Sequence, residues 1–271
     1  MSGLLAFAFA INAGGYRVSA GTTVPVGDVV DAKQRVSMDQ IDHSVLDALL
    51  KRYVNKDGQV DYRKWSEQAA DLRALDGYLI ELSRAELDVK ASRQAVLAYW
   101  INAYNAVTLK GILREYPTTS IRNHTAKIVG YNIWKDLKLQ VDGRQVSLDD
   151  IEHQVLRKLG EPRIHFAIVC ASISCPKLRN EAFLAEKLEE QLADNARDFF
   201  ADSGKFTFDV KSRRLGLSKI LSWFGEDFGS TRREQMQFIA PYVPAESRSL
   251  LLDDSAKVFY LDYDWGLNDV E

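Results

Sequence analysis

The sequence predicts a single α+β domain, in which a central buried helix packs against a small sheet and several other helices surround it. One segment, from about residue 92 to residue 114, has apolar side chains around almost its whole helical circumference, as expected for a helix enclosed by the rest of the domain. Elsewhere, short helical and strand patterns follow one another without the regular strand–helix alternation of a parallel α/β sheet. No internal repeat interrupts this mixed pattern.

The overall composition is that of an ordinary globular protein. The 271 residues are 46% hydrophobic and 27% charged, which is enough for one sizeable core. The net charge of −3 argues against a nucleic-acid partner, because such a partner usually requires a basic patch. There is no apolar segment of 20 residues, so no membrane span is predicted. The sequence also contains no nucleotide-binding loop, haem site or CxxC or HxxxH spacing, so neither a cofactor nor a metal is predicted. The expected partner is a protein or a small-molecule ligand of unknown identity.

The N-terminal 20 residues have the outline of a secretory signal. Residues 4–11, LLAFAFAI, form a short apolar run, and Val18-Ser19-Ala20 resembles a small-residue cleavage site, although no basic residue precedes the run. This pattern predicts a periplasmic or secreted protein, or a cytoplasmic one if the run is not a signal. Residues 21–40 are expected to be a linker, and residues 41–268 the domain.

Helices are predicted in the first half of the domain. Residues 45–54 have the spacing of a short amphipathic helix, and residues 64–90 that of two more. Ser92 can cap the central helix, which should end before Tyr116-Pro117. Asn102 and Asn105 lie on one face of this apolar helix. Because buried amides need partners, the two side chains should tie the helix to another element or line a site.

The second half is expected to contribute the strands. Residues 137–148 predict a hairpin with Asp142-Gly143 at its turn. Ser147 should cap a helix that ends before Gly160. The next segment, RIHFAIVCAS at residues 163–172, is apolar enough to predict a buried strand. An amphipathic helix over residues 181–200, a hairpin at 205–217 and a helix near 231–240 should follow.

The chemistry-bearing residues concentrate in HFAIVCASISCP, where His165 and both cysteines, Cys170 and Cys175, are five residues apart. One interpretation is a thiol nucleophile. A thiolate needs a nearby base or positive charge, which His165 could supply, although a strand would place Cys170 on the opposite face. Cys175 follows in a loop, a common position for a catalytic group.

Other residues could complete such a site. A carboxylate such as Asp262, Asp264 or Glu152 could orient the imidazole of His165. Asn102 or Asn105 could also orient it, or could donate a hydrogen bond to an oxyanion.

Two further interpretations stay open. In an oxidising compartment the two cysteines would pair as a structural or redox-active disulfide that closes a short loop. Alternatively, both thiols are buried and inert and His165 is a hydrogen-bonded core residue.

Four motifs together carry a family resemblance: WINAYNAVTL, SLDDIEHQVLR, PRIHFAIVCASISCPKLR and LDYDWGLN. They occur in this order within residues 45–268, and in them the chain resembles the family called domain of unknown function 547. The resemblance implies no established activity. It implies export for bacterial members, and the coiled-coil segment of plant members favours an interaction role. In the plant pattern the position of Cys175 is Ser and that of Cys170 remains Cys, which argues against a nucleophile at Cys175 common to the whole family. The motif residues map onto Trp100, Asn102, Tyr104, Asn105, Glu152, Arg157, His165, Cys170, Cys175, Pro176, Asp264, Trp265 and Asn268.

The polar motif residues are expected to converge on one buried or cleft-lining network around the central helix, which is either structural or catalytic. The leading hypothesis is an exported cysteine-type hydrolase or acyl transferase acting on an amide or thioester. The alternative is a non-enzymatic periplasmic binding or scaffold domain with a structural or redox Cys170–Cys175 disulfide. The candidate catalytic residues are Cys175, Cys170, His165 and Asp264, and the candidate binding residues are Asn102, Asn105, Glu152, Arg157, Trp265 and Asn268.

Overall fold

The computed structural model describes residues 23–126 and 131–270, and it confirms the α+β prediction. The apolar run at residues 4–11 and the candidate cleavage site at residues 18–20 lie outside the described residues. None of the described helices combines the length and the apolar character that a membrane crossing requires.

Helices make up most of the regular structure in the described ranges. The α-helices are α1 Ser44–Tyr53, α2 Tyr62–Ser66, α3 Ala69–Ser83, α4 Arg93–Glu115, α5 Ile133–Asp136, α6 Leu148–Asp150, α7 Leu188–Ala201, α8 Ile220–Trp223, α9 Gly225–Phe228, α10 Arg232–Ile239 and α11 Arg248–Leu251. The strands are β1 Val24–Val26, β2 Leu137–Val141, β3 Arg144–Ser147, β4 Phe206–Asp209, β5 Arg214–Leu217 and β6 Lys257–Tyr260.

Helix α4 is the predicted central helix. The Ser92 hydroxyl accepts a hydrogen bond from the Ala95 N–H at 3.1 Å and so caps its N-terminus. Buried side chains occur on every face between Ala95 and Leu113. Its packing against α3, β2 and the segment after α6 therefore encloses α4 on all sides.

Two three-stranded sheets flank the helices. In the first, β2 and β3 form the predicted antiparallel hairpin, with positive φ angles at Asp142 and Gly143 in its turn. Strand β1 pairs parallel to β2, so part of the segment predicted to be a linker belongs to this sheet. In the second sheet, β4 and β5 form the other predicted hairpin and β6 pairs parallel to β5.

The buried strand predicted for residues 163–172 was wrong. A 3₁₀-helix occupies Pro162–Phe166, with Pro162 in the first turn and the Glu161 carboxylate accepting from the Arg163 N–H, and irregular backbone follows. The apolar run is buried as expected, but its backbone groups are satisfied locally and by side chains rather than by a neighbouring strand. The helix predicted from residue 181 likewise begins only at Leu188.

The helical segment that follows the β2–β3 hairpin changes its hydrogen-bonding pattern along its length. Ser147 and Asp150 form a capping box at its start, and Gly160, with φ of 65°, ends it as predicted. Between them the chain passes into a π-helix over Ile151–Leu156 and then a 3₁₀-turn over Arg157–Leu159. Such π-turns are rare and often occur at functional sites.

A close approach to α4 gives a test of the packing. A Cβ atom on Gly111 would lie 2.5 Å from Ile133 Cδ1 and 3.0 Å from Leu137 Cδ2. We therefore expect Gly111→Ala to lower the free energy of unfolding by about 1–3 kcal/mol through overpacking. The measurement is urea unfolding followed by far-UV circular dichroism.

The matched control is Gly77→Ala in α3. No heavy atom lies within 4 Å of the Cβ position there. This substitution should stabilise the protein by about 0.5–1 kcal/mol through higher helix propensity. Equal effects of the two substitutions would contradict the tight contact at Gly111.

Candidate functional site

Two asparagines of α4 hold the loops that build the site. Asn105 Nδ2 donates to the Ala167 carbonyl at 3.0 Å, and its Oδ1 accepts from the Val169 N–H at 2.9 Å. Asn102 makes the same pair of bonds with the carbonyl and N–H of Phe183, at 2.8 and 2.9 Å. Each amide thus replaces the strand neighbour that the loop lacks. Both side chains are buried, and each amide donates one and accepts one of these bonds, so they position the loops.

The C-terminal segment packs against the cysteine loop. The Asn268 N–H donates to the Ala171 carbonyl at 3.1 Å, and its side-chain oxygen accepts from the Tyr62 hydroxyl at 3.0 Å. Asp264 is exposed, and its carboxylate accepts from the Gly266 N–H at 2.8 Å. The structure therefore does not bring Asp264 to His165; both Asp264 and Asn268 stabilise the segment around them.

A cavity of about 230 Å³ lies beside the cysteine loop. Both cysteines and His165 line it, as do two acidic side chains, Asp149 and Glu152. The remaining wall is mainly aromatic and includes Tyr104, Trp134, Trp223, Phe224, Tyr263 and Trp265.

The two thiols are free and unequal. Cys175 Sγ accepts hydrogen bonds from the Cys170 N–H at 2.9 Å and the Tyr263 hydroxyl at 3.3 Å. Cys170 Sγ lies 3.2 Å from Ser172 Oγ and 3.4 Å from the Tyr263 hydroxyl. No disulfide joins the two sulfurs in this structure.

Hydrogen bonding decides which sulfur ionises. Burial raises the pKa of Cys175, but hydrogen bonds from the Cys170 thiol and N–H and the Tyr263 hydroxyl outweigh it and lower that pKa to about 6. The bond to Cys175, together with burial, raises the pKa of Cys170 well above its ordinary value. The two opposite shifts favour a Cys175 thiolate beside a Cys170 thiol over the reverse assignment.

The loop backbone is strained where it makes this pair. Ala171 has φ of 58°, a left-handed conformation that a non-glycine residue rarely adopts. The Cys175 N–H donates to the Ser172 carbonyl at 3.0 Å, which closes the turn. The strained turn aims the Cys170 N–H at Cys175 Sγ, and strain of this kind is common at functional sites.

Glu152 brings a carboxyl group to the same cavity. It lies in the π-helical turn, and the Tyr104 hydroxyl donates to its Oε2 at 3.2 Å. Burial raises the pKa of Glu152 and the negative charge of Cys175 adds to this, against the opposing effects of His153 and of the Tyr104 bond. Glu152 is therefore a weaker acid than an ordinary glutamate, and its proton affinity responds to the charge on Cys175.

His165 makes its strong contact away from the thiols. Its Nε2 lies 2.7 Å from Asp227 Oδ2, which also accepts from Arg157 Nε at 2.6 Å, and its ring stacks on Phe224 at 4.2 Å. Burial lowers the pKa of His165 to about 4, although Asp227 opposes this, so the ring is neutral at pH 7. Within residues 23–126 and 131–270, no hydrogen bond joins His165 to either cysteine.

The sequence analysis missed several residues of the site. Asp227, not Asp262, Asp264 or Glu152, pairs with His165, and Arg157 holds that carboxylate instead of facing the cavity. Trp265, a predicted binding residue, lines the cavity, whereas Trp100 lies in the core. Tyr263 adjoins the predicted Asp264, and Trp223 and Asp227 lie in WFGEDF at residues 223–228. The sequence shows these three residues only as aromatic or acidic side chains, without a pattern that assigns them to the site.

The described residues contain no group of three His, Cys, Asp or Glu side chains arranged to hold a metal ion. The geometry defines an α+β domain with two free cysteines in the wall of a cavity.

Residues 89–200 match the model of the family described as "Protein of unknown function, DUF547", which confirms the resemblance drawn from the motifs. The matched segment contains both cysteines, His165 and Glu152, and ends before Asp227 and Tyr263. No curated protein and no solved structure matches the chain.

The anchoring role of Asn105 can be tested directly. Asn105→Ala leaves the Ala167 carbonyl and the Val169 N–H buried without their partner, and each unsatisfied group costs about 1–3 kcal/mol. We expect a loss of about 2–4 kcal/mol in the free energy of unfolding, measured by urea denaturation.

Gln94→Ala, at an exposed position of the same helix, is the control and should stay within about 0.5 kcal/mol of the parent protein. A loss for Asn105→Ala no larger than the control's would show that the amide does not anchor the loop.

Proposed function

We propose that the protein is an acyl-transfer enzyme, a cysteine-type hydrolase or acyl transferase acting on an amide or thioester, with Cys175 as its nucleophile. The observation that carries the proposal is the set of donors around Cys175 Sγ, which stabilises its thiolate in the wall of a cavity. A thiolate is the reactive form of cysteine, and a pKa near 6 keeps it populated at neutral pH.

Glu152 is the group that we propose moves the proton. Its carboxyl group faces the same cavity, and the charge of Cys175 raises its pKa, so the two groups are electrostatically linked. His165 instead uses Nε2 to contact Asp227. In this proposal the His165–Asp227–Arg157 group shapes the cavity wall, and the base role predicted for His165 passes to Glu152.

The reaction balances with these two residues. Cys175 Sγ bonds to the carbonyl carbon of the substrate, and the bond from that carbon to the leaving nitrogen or sulfur breaks. The leaving atom takes the proton of Glu152, which leaves an acyl-thioester on Cys175 and a carboxylate on Glu152. A water molecule then attacks the thioester and gives a proton to Glu152. The carbon–sulfur bond breaks, the acid leaves and the Cys175 thiolate returns.

The alternative function is a non-enzymatic periplasmic binding or scaffold domain in which Cys170 and Cys175 form a structural or redox disulfide. The direct contact between the Cys170 N–H and Cys175 Sγ favours this candidate as well, because it keeps the two cysteines close. Both proposed functions assume that the protein is exported, and this assumption rests on the apolar run at residues 4–11.

Thiol reactivity distinguishes the two functions. We expect iodoacetamide to label Cys175 faster than Cys170, with a rate that rises through a midpoint near pH 6 because the pKa of Cys175 is lowered. For an ordinary thiol the midpoint of the labelling rate would lie near pH 8.5. The label is located by mass spectrometry on native protein with and without prior reduction. Tyr263→Phe should move the midpoint upward, because it removes a donor to the thiolate.

Tyr260→Phe is the matched control, since Tyr260 is exposed and does not line the cavity, and it should leave the midpoint in place. Labelling only after reduction would favour the disulfide-bearing binding or scaffold domain. Absence of labelling in the folded protein would mean inert thiols and would end the enzyme proposal.

The role of Glu152 has its own test. With acetyl-p-nitroanilide as the amide substrate, whose leaving nitrogen needs a proton, Glu152→Gln should slow turnover by about 10²–10⁴-fold, because general acid–base catalysis contributes this much. Iodoacetamide should still label Cys175 in that variant. Glu190→Gln, at an exposed position of α7, is the control. Unchanged turnover in Glu152→Gln would remove Glu152 from the mechanism.

A further inference from the structure

The aromatic side of the cavity forms a continuous surface. The ring centroids of Trp223 and Tyr263 are 4.9 Å apart, those of Tyr263 and Trp265 4.6 Å, and those of Trp223 and Trp265 5.9 Å. All three rings line the cavity, and Trp223 is 46% exposed. A tryptophan exposed to this extent beside two other rings costs hydrophobic free energy unless a ligand covers it.

The cavity has two carboxyl groups, Asp149 and Glu152. His153 also lines it, with Nε2 3.9 Å from Asp149 Oδ1, and among the described lining residues there is neither lysine nor arginine. His165 is neutral, and the nearby guanidinium of Arg157 is neutralised by Asp227 and Glu226. The carboxylate of Asp149 and the thiolate proposed for Cys175 therefore favour a cationic ligand over an anionic one.

The same aromatic group already attracts a cation in this fold. The guanidinium carbon of Arg122 lies 5.2 Å from the centre of the Trp265 ring. The faces of tryptophan and tyrosine rings bind ammonium groups at such distances, and the attraction is larger where the cation is desolvated.

We propose that the cavity recognises its substrate through an organic ammonium group, which lies against Trp223, Tyr263 and Trp265 and is paired with the carboxylate of Asp149, while the Glu152 carboxyl group offers a hydrogen-bond acceptor. The inference rests on the proposed function in treating the ligand as the substrate of Cys175. Binding of the ammonium group itself depends only on the aromatic and acidic residues.

The test uses two probes of the same shape. Choline carries a quaternary ammonium, and 3,3-dimethyl-1-butanol has an uncharged carbon in its place. Titration calorimetry on the Cys175→Ser variant, which has no nucleophile, should show choline binding about tenfold or more tightly than the alcohol. Trp223→Leu should weaken choline binding about tenfold, and Trp223→Phe should restore part of it because the ring remains.

Tyr260→Leu, which removes an exposed ring outside the cavity, should leave choline affinity unchanged. Each of three results would overturn the inference. They are equal affinities for choline and the alcohol, no choline binding, and a choline affinity that Trp223→Leu leaves unchanged. The two proposals fail separately. Inert thiols with intact choline selectivity would refute the enzyme alone, and a reactive Cys175 without choline selectivity would refute the ammonium site alone.

Discussion

The structure depends on how buried, irregular backbone finds hydrogen-bond partners. The loop after Phe166 packs against α4 without a neighbouring strand. Each buried peptide group left without a hydrogen-bond partner there would cost folding free energy. The amide of Asn105 supplies one donor and one acceptor in the arrangement of a strand neighbour, and Asn102 does the same for the next loop. An apolar helix with two amides is thus the framework on which the thiol loop is built.

From this anchor the remaining geometry of the thiol loop follows. With Ala167 and Val169 fixed, the chain must turn sharply to keep both cysteines at the cavity, and Ala171 takes the left-handed conformation at that turn. Asn268 holds the Ala171 carbonyl from the other side. A strained backbone conformation at one residue persists only when contacts on both sides of that residue hold it in place, as the bonds at Val169 and at the Ala171 carbonyl do here. The Cys170 N–H beside this turn donates to Cys175 Sγ.

Local signals in the sequence predicted the elements that local interactions determine. The Ser92 cap, the Asp142-Gly143 turn and the Gly160 end are encoded within a few residues, and each is confirmed. The prediction of a strand around His165 was wrong because an apolar run indicates that a segment is buried but does not identify what its backbone hydrogen-bonds to. Here side chains supply backbone partners that a neighbouring strand would have supplied. Cys170, Cys175 and His165 could be grouped because they are close in the chain. Asp227 and Tyr263 reach the site from 62 and 88 residues away, and no sequence pattern records that contact.

The difference between the two cysteines comes from the direction of one hydrogen-bond chain. The Ser172 hydroxyl donates to the Tyr263 oxygen at 3.1 Å, so the single Tyr263 proton is free to point at Cys175 Sγ. Cys175 also receives the Cys170 N–H and the proton of the Cys170 thiol, so donors converge on Cys175 Sγ. Cys170 keeps its proton because it donates that proton to Cys175. Because a buried thiolate is stable only where donors converge, the asymmetry of this chain puts the charge on Cys175 and keeps the proton on Cys170.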